Sequence, residues 1–215
     1  SALVAAIACS ILVICPPTWS KAAEPFTLAE DTGYRGIWYS NGKAPQPFAH
    51  KYSGGMATYP HQHTPIAIHA PAVEKTFFVY GGTLPDKQRL LHMVSYFDHK
   101  TQTVPRPRIL LDKKTSDAHD NPTLSIDAQG HLWIFSNAHG TSRPAFIHRS
   151  VEPYRIDRFE RVVETNFSYS QPWYLPDHGF VFLHTHYEPG RVMRWMTSRD
   201  GREWDEPRQL ANFGQ

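Results

Sequence analysis

Apolar and polar residues along this chain recur in short runs with a period of two. RVMRWMTS (191–198) alternates, and PTLSI (122–126), TFFVYGG (76–82), HLWIFSN (131–137) and GFVFLHTHY (179–187) are rich in aromatic and β-branched residues. Such runs predict β-strands, because successive side chains of a strand point to opposite faces. Turn-forming clusters separate them at Asp127–Gly130, Pro176–Gly179, Glu188–Gly190 and Asp200–Gly201. No segment carries a 3.6-residue apolar period with caps, so helix content is expected to be low.

The strands repeat as a set. A first strand begins near Pro65, Pro122 and Pro172, at offsets of 57 and 50, and the second strands start near Phe77, Leu132 and Phe180, at offsets of 55 and 48. A third strand follows in LLHMVSYFD (90–98), PAFIHRS (144–150) and RVMRWMTS (191–198), and a fourth in RPRILLD (106–112), RFERVVE (158–164) and PRQLANF (207–213). Four strands in about 50 residues is the pattern of a β-propeller blade. The expected fold is therefore all-β, with units at about 61–113, 119–164 and 167–213 inside a partial propeller domain, 24–215. Three blades do not close a ring. The reading is a fragment with about three blades of a six- or seven-bladed propeller, and GYRGIWYS (33–40) is read as an extra strand for another blade.

The N-terminal run ALVAAIACSILVIC (2–15) is too short to span a bilayer and is followed by the small-x-small site Ser20-Lys21-Ala22. Residues 1–23 are read as a signal peptide, which implies a secreted or periplasmic protein. A lipoprotein, with Ala6-Ile7-Ala8-Cys9 as the lipobox, is the alternative. Cys9 and Cys15 both fall in this segment, so no thiol chemistry is expected after cleavage. The net charge of +2 and the lack of a Lys/Arg run exclude a strongly basic nucleic-acid binder. The 13 histidines and 13% aromatic residues suit a sugar-binding surface, where flat rings stack on pyranose faces.

Equivalent strand ends in successive blades meet on one face of a propeller, where functional side chains concentrate. His119 precedes the first strand of the second unit and His139 follows its second strand, so a hairpin in register brings the two together. Tyr169 precedes the first strand of the third unit. His63, Asn121, Tyr187, His186, Arg191 and Trp173 are the candidate substrate-binding residues around these three. His61-x-His63 and His184-x-His186 each put two imidazoles on one strand face, but without a third ligand at a telling spacing no metal site or cofactor is expected; a structural ion is left open.

The segment Ser198-Arg199-Asp200-Gly201-Arg202-Glu203-Trp204 has the short Asp-box form S-x-D-G-x-x-W, a motif in which Ser and Asp bond turn amides and the Trp packs back under the turn. Together with the repeat and HDNP…GHLWIFSNAHG, it makes the chain resemble the BNR-repeat, sialidase-like propeller family that includes the ulvan lyases, from about Gly33 to Phe213. That resemblance implies His119 and His139 as the catalytic histidine pair and Tyr169 as a proton-transfer tyrosine. It also implies a basic residue that neutralises a uronate carboxylate, for which His186 is the matching position, with Arg191 shortly after. The implied function is a secreted polysaccharide lyase cleaving an acidic, uronate-containing polysaccharide by β-elimination, with no nucleic-acid partner and no membrane span. The alternatives are a sialidase-type glycoside hydrolase, with Arg35 as one arginine and Asp117, Asp120 or Glu188 as carboxyls, and a non-catalytic glycan-binding propeller.

Overall fold

The computed structural model describes residues 24–31, 64–84, 87–187 and 190–212. The expected signal segment, the Gly33–Ser40 strand with Arg35, His61, His63 and Glu188 lie outside the described residues. Two short strands open the described chain, β1 (Phe26–Thr27) and β2 (Ala29–Glu30). Three antiparallel meanders follow. The first is β3 (Ala67–Ala70), β4 (Lys75–Leu84), β5 (Lys87–Asp98) and β6 (Arg108–Asp112). The second is β7 (Pro122–Ile126), β8 (Leu132–Ser136), β9 (Ala145–Ser150) and β10 (Arg158–Thr165). The third is β11 (Ser168–Leu175), β12 (Gly179–Tyr187), β13 (Arg191–Ser198) and β14 (Arg208–Asn212). The twelve strands of the meanders coincide with the runs in the sequence. Among the described residues the only helical pieces are the single turns Pro71–Val73 and Ala118–Asp120.

β2 pairs with β6 and β1 with β10, so one N-terminal stretch covers the outer edges of the first and second sheets. Covered edges do not template pairing with other chains.

The sheets pack face to face, and β8 shows why its sequence is a continuous apolar run. All five of its residues are buried. Alternation sends Leu132 and Ile134 into the seam with the first sheet, beside Phe77, Val79 and Phe159. It sends Trp133 and Phe135 into the seam with the third, beside Phe180, Phe182 and Trp204. Ring centroids there lie 5.0 Å apart for Trp133–Phe180 and 4.9 Å for Phe135–Phe182, in the edge-to-face and tilted geometries that aromatic quadrupoles favour.

The Ser198–Trp204 turn has the bonding its motif implies. Ser198 Oγ accepts from Gly201 N at 2.8 Å, Asp200 Oδ1 accepts from Arg202 N at 2.8 Å and from Glu203 N at 2.9 Å, and Trp204 Nε1 donates to the Gly201 carbonyl at 3.0 Å. Gly201 has φ +73°, and a Cβ there would stand 2.5 Å from the Trp133 ring. Glycine therefore serves both the backbone conformation and the seam between sheets.

Candidate functional site

The site grows from the open end of the β7–β8 hairpin. Register pairs Pro122 with Ser136, so the chain three residues before the first and three after the second must meet. Those residues are His119 and His139. Their rings stack with centroids 4.3 Å apart and planes inclined by 21°.

Asp117 sits between them. Its Oδ1 accepts from the backbone N of His119 at 3.0 Å, a local Asx turn, and bonds His119 Nδ1 at 2.6 Å. Its Oδ2 bonds His139 Nδ1 at 2.9 Å and accepts from Arg143 at 3.2 Å. Burial by itself would raise this carboxyl, but the hydrogen bonds from His119 and His139 outweigh it and hold the group well below the ordinary carboxylate range. Asp120, fully buried, takes the Arg143 guanidinium on both oxygens, at 2.9 Å from Nε and 2.8 Å from Nη2, and accepts the His139 backbone N at 2.6 Å. A bidentate fork of this kind fixes direction as well as charge. Lys113 Nζ lies 3.7 Å from the same carboxylate and donates to the Pro144 carbonyl at 2.7 Å; burial pulls its pKa down to about 8.

The second sheet carries this cluster and the third completes it. Asn137 donates to the Asn121 carbonyl at 2.5 Å and accepts from Ser170 N at 2.8 Å, while Ser168 Oγ donates to the Ala138 carbonyl. These bonds seize β11 at a bulge between Ser168 and Gln171, where Tyr169 has φ +51°. A bulge re-aims a side chain, and the Tyr169 ring comes 6.1 Å from both imidazoles. Tyr187 Oη donates to Tyr169 Oη at 3.3 Å, and its ring meets His139 edge-on at 5.6 Å. Arg191, the cross-strand partner of Tyr187, places its guanidinium 4.5 Å above the Tyr169 ring.

His119, His139, Tyr169, Tyr187 and Arg191 thus come together. His186 does not join them: it alternates with Tyr187 along β12, on the face that bears Phe182 and His184, and lines a cavity of about 150 Å³ with His184, Arg194 and Phe182. Arg191 is the cation that lies against Tyr169. Asn121 is buried beneath the hairpin, where its carbonyl ties Asn137. Trp173 is 45% exposed, but four residues along β11 from Tyr169 is roughly 13 Å of strand. It borders a groove with Pro65, Ile68 and Pro172 away from the imidazoles.

Three residues of this cluster had no place in the motif reading as a network: Asp117, Asp120 and Arg143. Their signal in the sequence is local, since Asp117-x-His119 has the spacing of an Asx turn and Arg143 follows His139 by one turn's worth of chain.

The donors of Asp117, His119 and His139 lie within 4.8 Å of one another, a set that could hold a metal. The ring planes argue for another use. An imidazole lone pair lies in its ring plane, and planes only 21° apart in stacked rings do not cross at a common point near both nitrogens. Each ring instead engages its own oxygen of the Asp117 carboxylate.

His92 supports the cluster from the first sheet. Its Nε2 donates to the Asp120 carbonyl at 2.8 Å, since a carbonyl only accepts, which leaves Nδ1 to accept from Ser136 Oγ at 2.9 Å.

Among known proteins, a family model described as a BNR repeat-containing family member matches residues 84–209. No curated protein matches the chain.

Proposed function

The chain belongs to the BNR repeat-containing family, and from that premise we propose that it is a secreted polysaccharide lyase of the ulvan-lyase kind, cleaving a uronate-containing polysaccharide by β-elimination. Its three sheets are successive blades of a β-propeller, and the acidic glycan lies across the mouth where the ends of β7, β8, β11 and β12 meet. The observation that carries the reading is the stacked His119–His139 pair, flanked by Tyr169 and by the Arg191 guanidinium.

The chemistry asks for these groups. The proton on the carbon beside a uronate carboxylate is weakly acidic while that carboxylate is an anion, so a cation must offset the charge that builds on it. Arg191 supplies that cation. A neutral imidazole takes the proton; the electrons of the broken C–H bond form the ring double bond; the glycosidic C–O bond breaks; and an imidazolium or the Tyr169 hydroxyl gives a proton to the leaving oxygen. Each proton transfer is worth about 10²–10⁴-fold in rate. Export to the periplasm or medium by residues 1–23 belongs to the same proposal. Among the described residues no helix is long and apolar enough to cross a membrane.

A hydrolase of sialidase type uses a tyrosine nucleophile in place of one carboxylate, but it still needs a group that gives a proton to the leaving oxygen. Asp117 and Asp120 are both engaged by Arg143, which favours the lyase. The full-length protein incubated with ulvan or another uronate glycan is expected to build up the ultraviolet absorbance of an unsaturated uronate and to release nothing from a fluorogenic sialoside. Sialoside release without that absorbance overturns the lyase reading in favour of the hydrolase. Glycan binding without either product leaves a binding module.

A further inference from the structure

We propose that Asp117 is a positioning residue that locks both imidazoles of the pair in the same tautomer, with the proton on Nδ1, so that Nε2 is the proton-exchanging atom of each. The inference concerns the site read above as an acid–base pair, but the tautomer stands or falls independently of that reading.

The argument is one of donors and acceptors. An ionised carboxylate only accepts hydrogen bonds. His119 Nδ1 lies 2.6 Å from one oxygen of Asp117 and His139 Nδ1 lies 2.9 Å from the other, so each Nδ1 must carry a hydrogen. Which ring nitrogen of a neutral histidine is protonated is set by the bond the other nitrogen's partner allows, and here the same carboxylate decides for both rings. Stacking makes this possible: the ring centroids lie 4.3 Å apart, the planes are inclined by only 21°, and both Nδ1 atoms reach the one carboxylate. Arg143 aims the carboxylate, because it reaches Asp117 Oδ2 at 3.2 Å while forked on the buried Asp120. Asn166 braces this loop, donating to the carbonyls of Gly140 and Arg143, each at 2.9 Å.

The lock fits both catalytic roles with one geometry. A neutral Nδ1–H imidazole offers a lone pair on Nε2 and is a base. The same ring protonated offers Nε2–H and is an acid, still donating Nδ1–H to Asp117. Neither ring has to turn between the two states, so the pair exchanges protons with substrate while its anchor stays still. Among the described residues, the charged and titratable groups around the pair are Asp117, Asp120, Arg143 and Lys113 from the second sheet and its approach, His92 from the first, and Tyr169, Tyr187 and Arg191 from the third.

The test reads the tautomer directly. The full-length protein, with ¹⁵N-labelled histidine, is examined by long-range ¹H–¹⁵N correlation above the pH at which imidazoles are charged, with signals assigned through H119A and H139A. The expected result is two rings with protonated Nδ1 and unprotonated Nε2. Asp117→Asn presents one acceptor and one donor, so at least one ring is expected to revert to Nε2–H, while the buried His92 and His131 keep their patterns and report an intact fold. Asp117→Glu is expected to restore the Nδ1–H pattern in part. On an acidic glycan, Asp117→Asn should lower kcat by about 10²-fold or more, as loss of a tautomer-setting aspartate does elsewhere, with an altered pH profile. Wild-type protein with either ring in the Nε2–H form overturns the proposal, and so does an Asp117→Asn variant with both rings unchanged. If that variant does not fold, the wild-type spectrum alone decides. A protein with the expected tautomers but no lyase product sinks the proposed function and leaves this inference intact.

Discussion

The β7–β8 hairpin has an aspartate beside each end, and the two do different work. At the closed end Asp127 is buried; its Oδ1 accepts from the backbone N of Gln129 at 3.0 Å and of His131 at 2.9 Å, and its Oδ2 from Trp133 Nε1 at 2.8 Å. At the open end Asp117 is partly exposed and accepts from two imidazoles and a guanidinium. Both satisfy several donors. The donors of Asp127 never change charge at physiological pH, and one is an indole buried between sheets. Those of Asp117 include two imidazoles, side chains that can gain or lose a proton, at the open end of the hairpin. Partner chemistry and exposure therefore separate a carboxylate that builds the fold from one that serves the site.

The comparison makes graded predictions. The largest loss of stability is expected for Asp127→Ala, which strands the buried His131 amide and the buried Trp133 indole N–H. Unsatisfied buried donors cost about 1–3 kcal/mol each in the limit, and a total of about 3 kcal/mol should appear as a lower urea midpoint. Asp117→Ala should lower the same midpoint by no more than about 1 kcal/mol, because its donors can turn to water. Equal losses in the two variants would break the distinction.

Next is acid. His148 and His184 are buried without a carboxylate. Burial, aided by Arg161 and Lys113, pulls His148 down to about 3, and burial pulls His184 down to about 4. Both pKa values are depressed in the folded state, so the unfolded chain binds more protons below its ordinary histidine value of about 6.5. Stability is thus unaffected above that pH and falls as the pH drops through it, by up to about 1.4 kcal/mol per pH unit for each ring. Urea titrations between neutral pH and about 4.5 should show this slope, and its removal in H184F would assign half of it. A midpoint flat with pH contradicts the burial of these rings.

Asp200 holds a third turn of the kind Asp127 holds. Gly201→Ala places a methyl 2.5 Å from the Trp133 ring at φ +73°, and overpacking plus backbone strain should cost about 2 kcal/mol, read from the same unfolding curves. An unchanged midpoint would mean that the seam there is looser than it looks.

Much of this was legible in the sequence, and the reasons are physical. Alternation, apolar runs and turn residues located the twelve meander strands, because a strand buried on one face shows its period in the chain and one buried on both faces, such as β8, reads as an apolar run. Hairpin register alone brought His119 to His139. β1 and β2 were not legible, since two residues carry no period. Asp117, Asp120 and Arg143 were individually visible, but their network depends on the turn at Ala118–Asp120 and on how the loop after His139 folds back. His186 was the position the resemblance matched to a carboxylate-binding base, with Arg191 shortly after; alternation on β12 and the pairing of Tyr187 with Arg191 on β13 bring Arg191 rather than His186 to the site. The bulge that re-aims Tyr169 leaves no composition signal at all.

The most direct measurement of the central claim is the initial rate of unsaturated-uronate formation by the full-length protein, H119A and H139A on one uronate glycan under identical conditions. The account predicts that each variant keeps its fold and loses about 10²–10⁴-fold in rate, with the double variant little worse than the poorer single one because the two rings act as a unit. Either single variant retaining the full rate contradicts it.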